Sequence, residues 1–328
     1  MTVLVTGGAG YIGSHMVLRL CDAGEAVVVL DNLVTGFDWA IDPRAVFVQG
    51  NAGDMALVGE LIAKHGISEI IHFAGSIVVP ESVADPLKYY GNNTAASRNL
   101  IEAAVKGGVK HMVFSSTAAV YGMTGLEPVA EETPLNPMSP YGRSKLMTEW
   151  MLADVAAAHP LTYGALRYFN VAGADPKKRS GQSTPLATHL IKVTAQAALG
   201  QRSHVEIFGT DFPTPDGTGV RDYIHVTDLV EAHALLLGYL RQGGKSITMN
   251  CGYGKGYSVR QVIDMVHKVS GVEFAVREAP RRAGDPASVV AKADKVREVL
   301  GWVPAHADLG EIVTAAYEWE RYLATRNR

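Results

Sequence analysis

Short, nearly continuous apolar runs alternate with longer stretches of helical period along the first half of the chain. Apolar runs without polar alternation suit strands buried on both faces, as parallel sheets require. Val3–Val5, Ala26–Leu30, Val46–Gln49, Glu69–Phe73, His111–Ser115 and Leu161–Arg167 are the predicted strands. Residues 12–23, 54–65, 86–107 and 141–158 carry the helical period between them. Such alternation predicts an α/β fold built on a doubly wound parallel sheet. From about Asn170 the rhythm breaks, and Gly173, Pro176, Gly181 and Pro185 mark loops. Residues 1–170 are therefore expected to form one domain and 171–328 a smaller C-terminal α/β lobe. Thr227–Arg241 reads as a helix and Ser246–Asn250 as a strand, so about 216–250 is expected to return to the first domain.

The first turn adds chemistry to this pattern. Val3-Leu4-Val5 leads into Thr6-Gly7-Gly8-Ala9-Gly10-Tyr11-Ile12-Gly13-Ser14 and then a helix. Glycines at 7, 10 and 13 allow a tight turn, close approach of a pyrophosphate to backbone N–H groups, and close packing of helix on strand. The second strand ends in Asp31, where a carboxylate can accept hydrogen bonds from an adenosine ribose and would repel a 2′-phosphate. A Rossmann dinucleotide site for NAD rather than NADP follows.

Composition narrows the picture only by exclusion. With 328 residues, 47% of them hydrophobic and 19% charged, the chain can bury a sizeable core. A net charge of -3 and no long basic run give no electrostatic case for nucleic acid or an anionic membrane. Lys177-Lys178-Arg179 is short and reads as a solvated loop. Cys21 and Cys251 lie far apart without metal spacing, and no histidine pair has ligand spacing, so no metal is expected. No apolar run is long enough to span a bilayer and no signal-peptide pattern follows Met1, which points to the cytoplasm.

A second motif carries the reaction. In Ser139-Pro140-Tyr141-Gly142-Arg143-Ser144-Lys145, a helix would set the phenol of Tyr141 and the ammonium of Lys145 on one face, one turn apart. A nearby cation favours phenolate, and a tyrosine so tuned can take a proton from an alcohol beside a nicotinamide.

Further segments identify the company these motifs keep. Ile71-His72-Phe73-Ala74-Gly75, Tyr89-Tyr90-Gly91-Asn92-Asn93, Phe114-Ser115-Ser116-Thr117-Ala118-Ala119-Val120-Tyr121-Gly122, Leu166-Arg167-Tyr168-Phe169-Asn170 and Asp216 to Val226 join the two already quoted. With them the chain resembles the extended short-chain dehydrogenase/reductase superfamily, and within it is similar to the UDP-glucose (UDP-galactose) 4-epimerases. The resemblance implies a C4 epimerisation of a UDP-hexose, through a transient 4-keto sugar, with tightly held NAD. It assigns Tyr141, Lys145 and Thr117 to catalysis, Thr117 by a hydrogen bond to the 4-oxygen. For the cofactor it implies Gly7, Gly10, Tyr11, Ile12, Gly13, Asp31, Asn32, Asn51, Phe73, Ala74, Gly75, Asn92, Ser115, Tyr141, Lys145, through the nicotinamide ribose hydroxyls, and Tyr168, although Phe73 and Tyr168 by themselves read as core aromatics. For the UDP-sugar it points, beyond Thr117 and Tyr141, to Asn170, His189, Leu190, Glu206, Ile207, Phe208, Arg221, Arg282 and Val289. Guanidinium groups suit Arg221 and Arg282 to a diphosphate. Val289 aligns with a position thought to gate 2-N-acetylated sugars, so an enzyme of UDP-N-acetylglucosamine, or of both substrate pairs, is the alternative. The helix pair 86–107 and 141–158 resembles the family's dimer interface and implies a homodimer.

Three positions depart from the commonest pattern: Asn51 for an aspartate facing adenine, Ile77 for a lysine, and His189 for an asparagine. An amide can still accept through its oxygen at Asn51. Rival readings within the fold are a nucleotide-sugar dehydratase or decarboxylase, and a non-catalytic NAD-binding scaffold. The first needs an acid or base beside Thr117, where the chain has Ala118 and Ala119; scaffolds tend to lose the tyrosine or lysine, and both are retained.

Overall fold

The structure, a computed structural model, describes residues 1–184, 188–282 and 284–326. Its first half delivers the predicted alternation as β1 (Thr2–Thr6), α1 (Tyr11–Asp22), β2 (Ala26–Asp31), β3 (Val46–Gln49), α2 (Met55–His65) and β4 (Ile67–His72). Then come α3 (Val79–Ala84), α4 (Pro86–Tyr89), α5 (Ala96–Lys106), β5 (His111–Ser115), α6 (Pro140–Ala158) and β6 (Thr162–Tyr168). Local chemistry sets several ends. The Asp54 carboxylate accepts from the N–H groups of Ala56 and Leu57 to start α2, and Gly66, at φ 60°, ends it in the left-handed region. Residues 86–107, expected as one helix, divide differently: Tyr90–Ala95 forms a π-helical segment between α4 and α5. Gly91 lies inside the widened segment, which the helical period alone does not separate from its neighbours.

The second half supplies β7 (Asn170–Ala172), α7 (Leu190–Ala198), β8 (Val205–Phe208), β9 (Val220–His225), α8 (Val226–Arg241) and β10 (Ile247–Cys251). It continues with β11 (Gly256–Ser258), α9 (Val259–Ser270), β12 (Val276–Ala279), β13 (Ser288–Val289), α10 (Asp294–Leu300) and α11 (Leu309–Arg326). A seven-stranded sheet has the order β10-β6-β5-β4-β1-β2-β3, with every pair parallel. Chain order reverses between β1 and β4, and the crevice at their C-terminal ends is where ligands of doubly wound sheets bind. The return toward this sheet begins later than expected, at α8 and β10. β9 instead pairs with β7, β11 and β13 in a small second sheet, while β8 pairs with β12.

Successive residues of the central strands bury to opposite faces. Leu4, Val28, Ile70 and Met112 join one cluster, while Val3, Val5, Val27 and Ile71 join the other. Burial of each such side chain contributes roughly 1.5–3 kcal/mol before conformational entropy is counted. Among the described residues, no helix is long and apolar enough to cross a membrane.

Candidate active site

The glycine turn leaves β1 and opens α1. Gly7 has φ 72°, and a Cβ there would stand 2.6 Å from the Ala74 nitrogen. A Cβ on Gly13 would collide with the Gly7 carbonyl oxygen, so only glycine lets α1 start this close to β1. Gly10 caps α1 without a side-chain hydrogen bond, and the first turn holds no acidic residue. Ile12 is half-buried within that turn, and the Tyr11 hydroxyl donates to the Gly173 carbonyl at 2.7 Å. Buried Asp31 accepts from the N–H of Ala9 at 2.9 Å and of Leu33 at 2.8 Å, bracing the glycine turn against the end of β2. Each carboxylate oxygen keeps a further lone pair for a ribose hydroxyl. Asn32 is exposed and its amide oxygen accepts from Val34 N–H at 3.2 Å. The Asn51 amide oxygen, expected to face adenine, instead accepts from Gly53 N–H at 2.8 Å in the turn before α2, which leaves it one lone pair for a ligand.

Across the crevice, Thr117 follows β5 while Tyr141 and Lys145 occupy the first turns of α6. The helix begins there because the Ser139 hydroxyl accepts from Gly142 N–H at 3.2 Å and Pro140 fills a position that needs no donor. Tyr141 is buried, with the Thr117 hydroxyl near enough to act on its ionisation. Burial raises the phenol pKa, and the Thr117 hydroxyl partly offsets this by lowering it. Lys145 is 3% exposed; its ammonium donates to the Ser115 carbonyl at 2.9 Å and stands 4.9 Å from the Phe114 ring centroid. Burial lowers its pKa to about 8. The ammonium is tethered to the β5 backbone, while the causes that shift the Tyr141 pKa are burial, which raises it, and the Thr117 hydroxyl, which lowers it.

Residues predicted to touch the cofactor line this side too. A Cβ on Gly75 would come 3.8 Å from the Lys145 ammonium nitrogen. The Ser115 and Tyr168 hydroxyls share a hydrogen bond. The rings of Phe73 and Tyr168 both pack on His233, with centroids 5.0 Å and 6.1 Å away, while half-buried Ala74 flanks the turn. Asn92 donates to the Ser76 hydroxyl at 2.9 Å.

The predicted sugar-nucleotide residues fall into smaller groups. Arg221, on β9, pairs with Asp285 and lies in register with Val289 on β13. Val289 also packs on the Ala118, Val120 and Tyr121 cluster, so it stands between the β9 arginine and the segment that follows Thr117. The Arg282 guanidinium lies 3.6 Å from the Phe208 ring centroid. Glu206 is exposed, whereas Ile207, at 1%, is buried with Ala197, Val205 and Ile263. Its side chain is turned into that cluster, which leaves its backbone to face the position expected near the uracil. Leu190 packs on the same cluster. His189 caps α7, with Nδ1 3.3 Å from the Gln182 amide nitrogen and a pKa lowered by burial. Asn170 begins β7, opposite Tyr223.

A profile of the NAD dependent epimerase/dehydratase family matches residues 3–252, which takes in the glycine turn, the Tyr141 helix and β9. The chain belongs to this family. It is 55% identical over 321 residues to a UDP-glucose 4-epimerase of Azospirillum brasilense, covering 98% of this chain and 92% of the relative. Among solved structures it is similar to a UDP-glucose 4-epimerase from Brucella ovis in complex with NAD, with a TM-score of 0.94, 42% identity and 97% of each chain covered. A UDP-glucose-4-epimerase from Stenotrophomonas maltophila with bound NAD and formylated UDP-arabinopyranose gives a TM-score of 0.96 at 40% identity, covering 99% of each chain.

The family's cofactor fits the residues present. The uncapped, acid-free start of α1 offers N–H groups and a positive dipole end to a pyrophosphate, and Gly7 and Gly75 leave the crevice floor clear of side chains. Two contributors escaped the sequence reading. Asn93, inside the π-helical segment, accepts from Ser76 N–H at 2.8 Å and donates to the Ser76 carbonyl and the Ser144 hydroxyl, each at 3.0 Å. It ties the Gly75 turn to α6 beside Lys145. The Tyr89-Tyr90-Gly91-Asn92-Asn93 motif contains it without giving it a role; the added signal is a second asparagine in a helical stretch, where asparagine is disfavoured unless its side chain has work to do. The other is the buried pair of Glu149 and Arg167, 2.6 Å apart, to which the Ser116 hydroxyl also donates. That pair joins the end of β5 to α6 and β6.

Proposed function

We propose that this chain interconverts UDP-glucose and UDP-galactose by reversible epimerisation at C4, through a transient 4-keto sugar. The observation that carries the reading is the buried Tyr141 on the first turn of α6, with buried Lys145 one turn on and the Thr117 hydroxyl acting on the phenol, beside side chains at Ala118 and Ala119 that cannot exchange a proton. NAD, when bound in the crevice, supplies a hydride acceptor that later gives the hydride back. Thr117 orients the 4-oxygen and Tyr141 takes the 4-hydroxyl proton, returning it after the ketone has presented its other face. Lys145 holds ribose hydroxyls and the local backbone through its ammonium. Asp31 and Asn32 bind the adenosine ribose, and the first turn of α1 binds the pyrophosphate of the cofactor.

The UDP of the substrate stays fixed while the hexose turns. Arg221 and Arg282 neutralise its diphosphate, with Asn170, His189, Leu190 and the backbone of Glu206-Ile207-Phe208 around the remainder. Val289 forms the wall of the sugar pocket. On this reading residues 1–170, with α8 and β10, make the NAD-binding domain and the rest makes the UDP-sugar lobe. Elimination or decarboxylation lacks the extra acid or base it needs beside Thr117. Incubation with UDP-galactose, UDP-N-acetylglucosamine and UDP-xylose separately, without added reductant, tests the proposal. Formation of UDP-glucose from UDP-galactose is expected, and NAD binding without turnover of any of the three would overturn it.

We also infer a homodimer through the helix pair that joins the π-helical segment and α5 to α6, where Tyr90, Thr94, Ala95, Met147 and Met151, with Arg98 at the edge, line a largely apolar groove near Trp150, which is 57% exposed. Cys21 and Cys251 are free and buried, which suits a reducing compartment such as the cytoplasm.

A further inference from the structure

The segment 173–184 crosses in front of the glycine turn. It is a small hairpin: Ala174 bridges Gly181, Asp175 N–H donates to the Ser180 carbonyl at 2.9 Å, and Lys178 takes φ 57° at its tip. The Asp175 carboxylate holds the tip shape by accepting from the N–H groups of Lys177 and Arg179, each at 3.1 Å. This hairpin bounds a concavity together with Gly10, Tyr11, Ser14 and Phe37, the outer rim of the site fitted to the dinucleotide.

Two sets of anchors hold the hairpin from opposite edges. On the inner edge, the Ser180 and Ser14 hydroxyls share a 2.6 Å hydrogen bond, both residues being fully buried, and Tyr11 reaches Gly173. Along the outer edge, Gly181 lies so close to the Trp319 ring that a Cβ would collide with it, and the Trp319 indole N–H donates to the Ser183 hydroxyl at 3.3 Å. The Lys192 ammonium donates to the Gln182 carbonyl at 2.8 Å and to the Glu320 carboxylate at 2.6 Å, with both charged groups buried. Trp319 packs in turn on Trp39 at a tilt, with centroids 6.3 Å apart, and Trp39 likewise on Phe37 at 5.2 Å. The C-terminal helix thereby clamps the hairpin onto the loop that follows Asp31.

We propose that residues 173–184 form a strap across the dinucleotide site, pinned by Ser180 on the inside and Trp319 on the outside, and that opening of this strap sets the rate of NAD release. The inference rests on the proposed function, which explains why such a strap is useful. Epimerisation without net redox change succeeds only while one cofactor molecule stays for both halves of the reaction. Its loss midway would strand a ketone. An anchor shared with α11 makes escape depend on a local unfolding event rather than on simple dissociation from an open cleft.

The test uses NAD-loaded enzyme with no sugar present, and follows release by trapping freed NAD with an excess of an NAD-reducing dehydrogenase. Ser180→Ala is expected to speed release at least about threefold and Trp319→Leu at least about tenfold, as loss of one inner and one outer anchor of a locally opening segment. Val296→Ala, a cavity in the core under α10 away from the strap, is the control and should lower the melting temperature without changing release. Release at the parent rate from folded Ser180→Ala and Trp319→Leu overturns the strap, as does equally fast release from Val296→Ala. Should Trp319→Leu fail to fold, Ser180→Ala decides alone. Absence of UDP-hexose turnover would sink the proposed function without moving any of these rates.

Discussion

Tyr141 is asked to act as a base in surroundings that resist its ionisation. Burial raises its pKa and the Thr117 hydroxyl is the group that lowers it, so Thr117 does more than orient a sugar oxygen. Tyr141→Phe should leave folding intact and reduce turnover by roughly two to four orders of magnitude, the worth of a positioned acid/base. Thr117→Val should move the rising limb of the pH–rate profile to higher pH, since the phenolate loses a hydrogen-bond donor. An unmoved limb would remove Thr117 from that role. Lys145 makes a separate demand, because its folded pKa is depressed to about 8. Its buried ammonium therefore costs stability in full below about 8, and the cost fades as pH rises from there toward the unfolded value of about 10.4. Lys145→Met should raise stability at pH 7 by about 1–3 kcal/mol, less the bond to the Ser115 carbonyl, while depressing catalysis. Melting temperatures measured from pH 7 to 10 check this, and the gain should shrink toward the alkaline end.

At the scale of elements, the ends of β5, α6 and β6 are joined by the Glu149–Arg167 pair, and neither side chain is more than 7% exposed. Glu149→Ala leaves a buried guanidinium without its counter-charge, and urea unfolding should show a loss of roughly 3–5 kcal/mol. A loss below about 1 kcal/mol would mean that water reaches Arg167. Nothing in the sequence pairs these residues. The parallel strands were legible because their apolar runs are continuous, and Tyr141, Lys145 and the glycine turn because each depends on spacing within one motif. The small sheet was not, since β7 and β11 have three residues and β13 has two, too short for any period to register. The same limit hid Asn93, Ser180 and Trp319, whose partners are brought near only by the tertiary fold. Ile207 shows a different limit. A motif names a position, and which way its side chain points is settled by alternation along β8.

For the whole molecule, the exposed apolar groove between the π-helical segment and α6 bears on assembly. A charge at Met147, which lines the groove, would have to be desolvated between two copies, so Met147→Glu should shift the particle from dimer to monomer mass in sedimentation. A monomeric parent protein would dispose of the inferred dimer. The order of strands in the large sheet has another consequence, one for synthesis rather than for activity. β6 is complete at Tyr168, yet the strand that covers its outer edge, β10, is not made until Cys251. At about 5–20 residues per second, the ribosome leaves that edge bare for several seconds or more. Nascent chains stalled within this interval would present the unpaired backbone of β6 together with Ala165 and Leu166, which are fully buried in the finished protein. Such chains should be the ones that chaperones capture and that aggregate when chaperones are scarce.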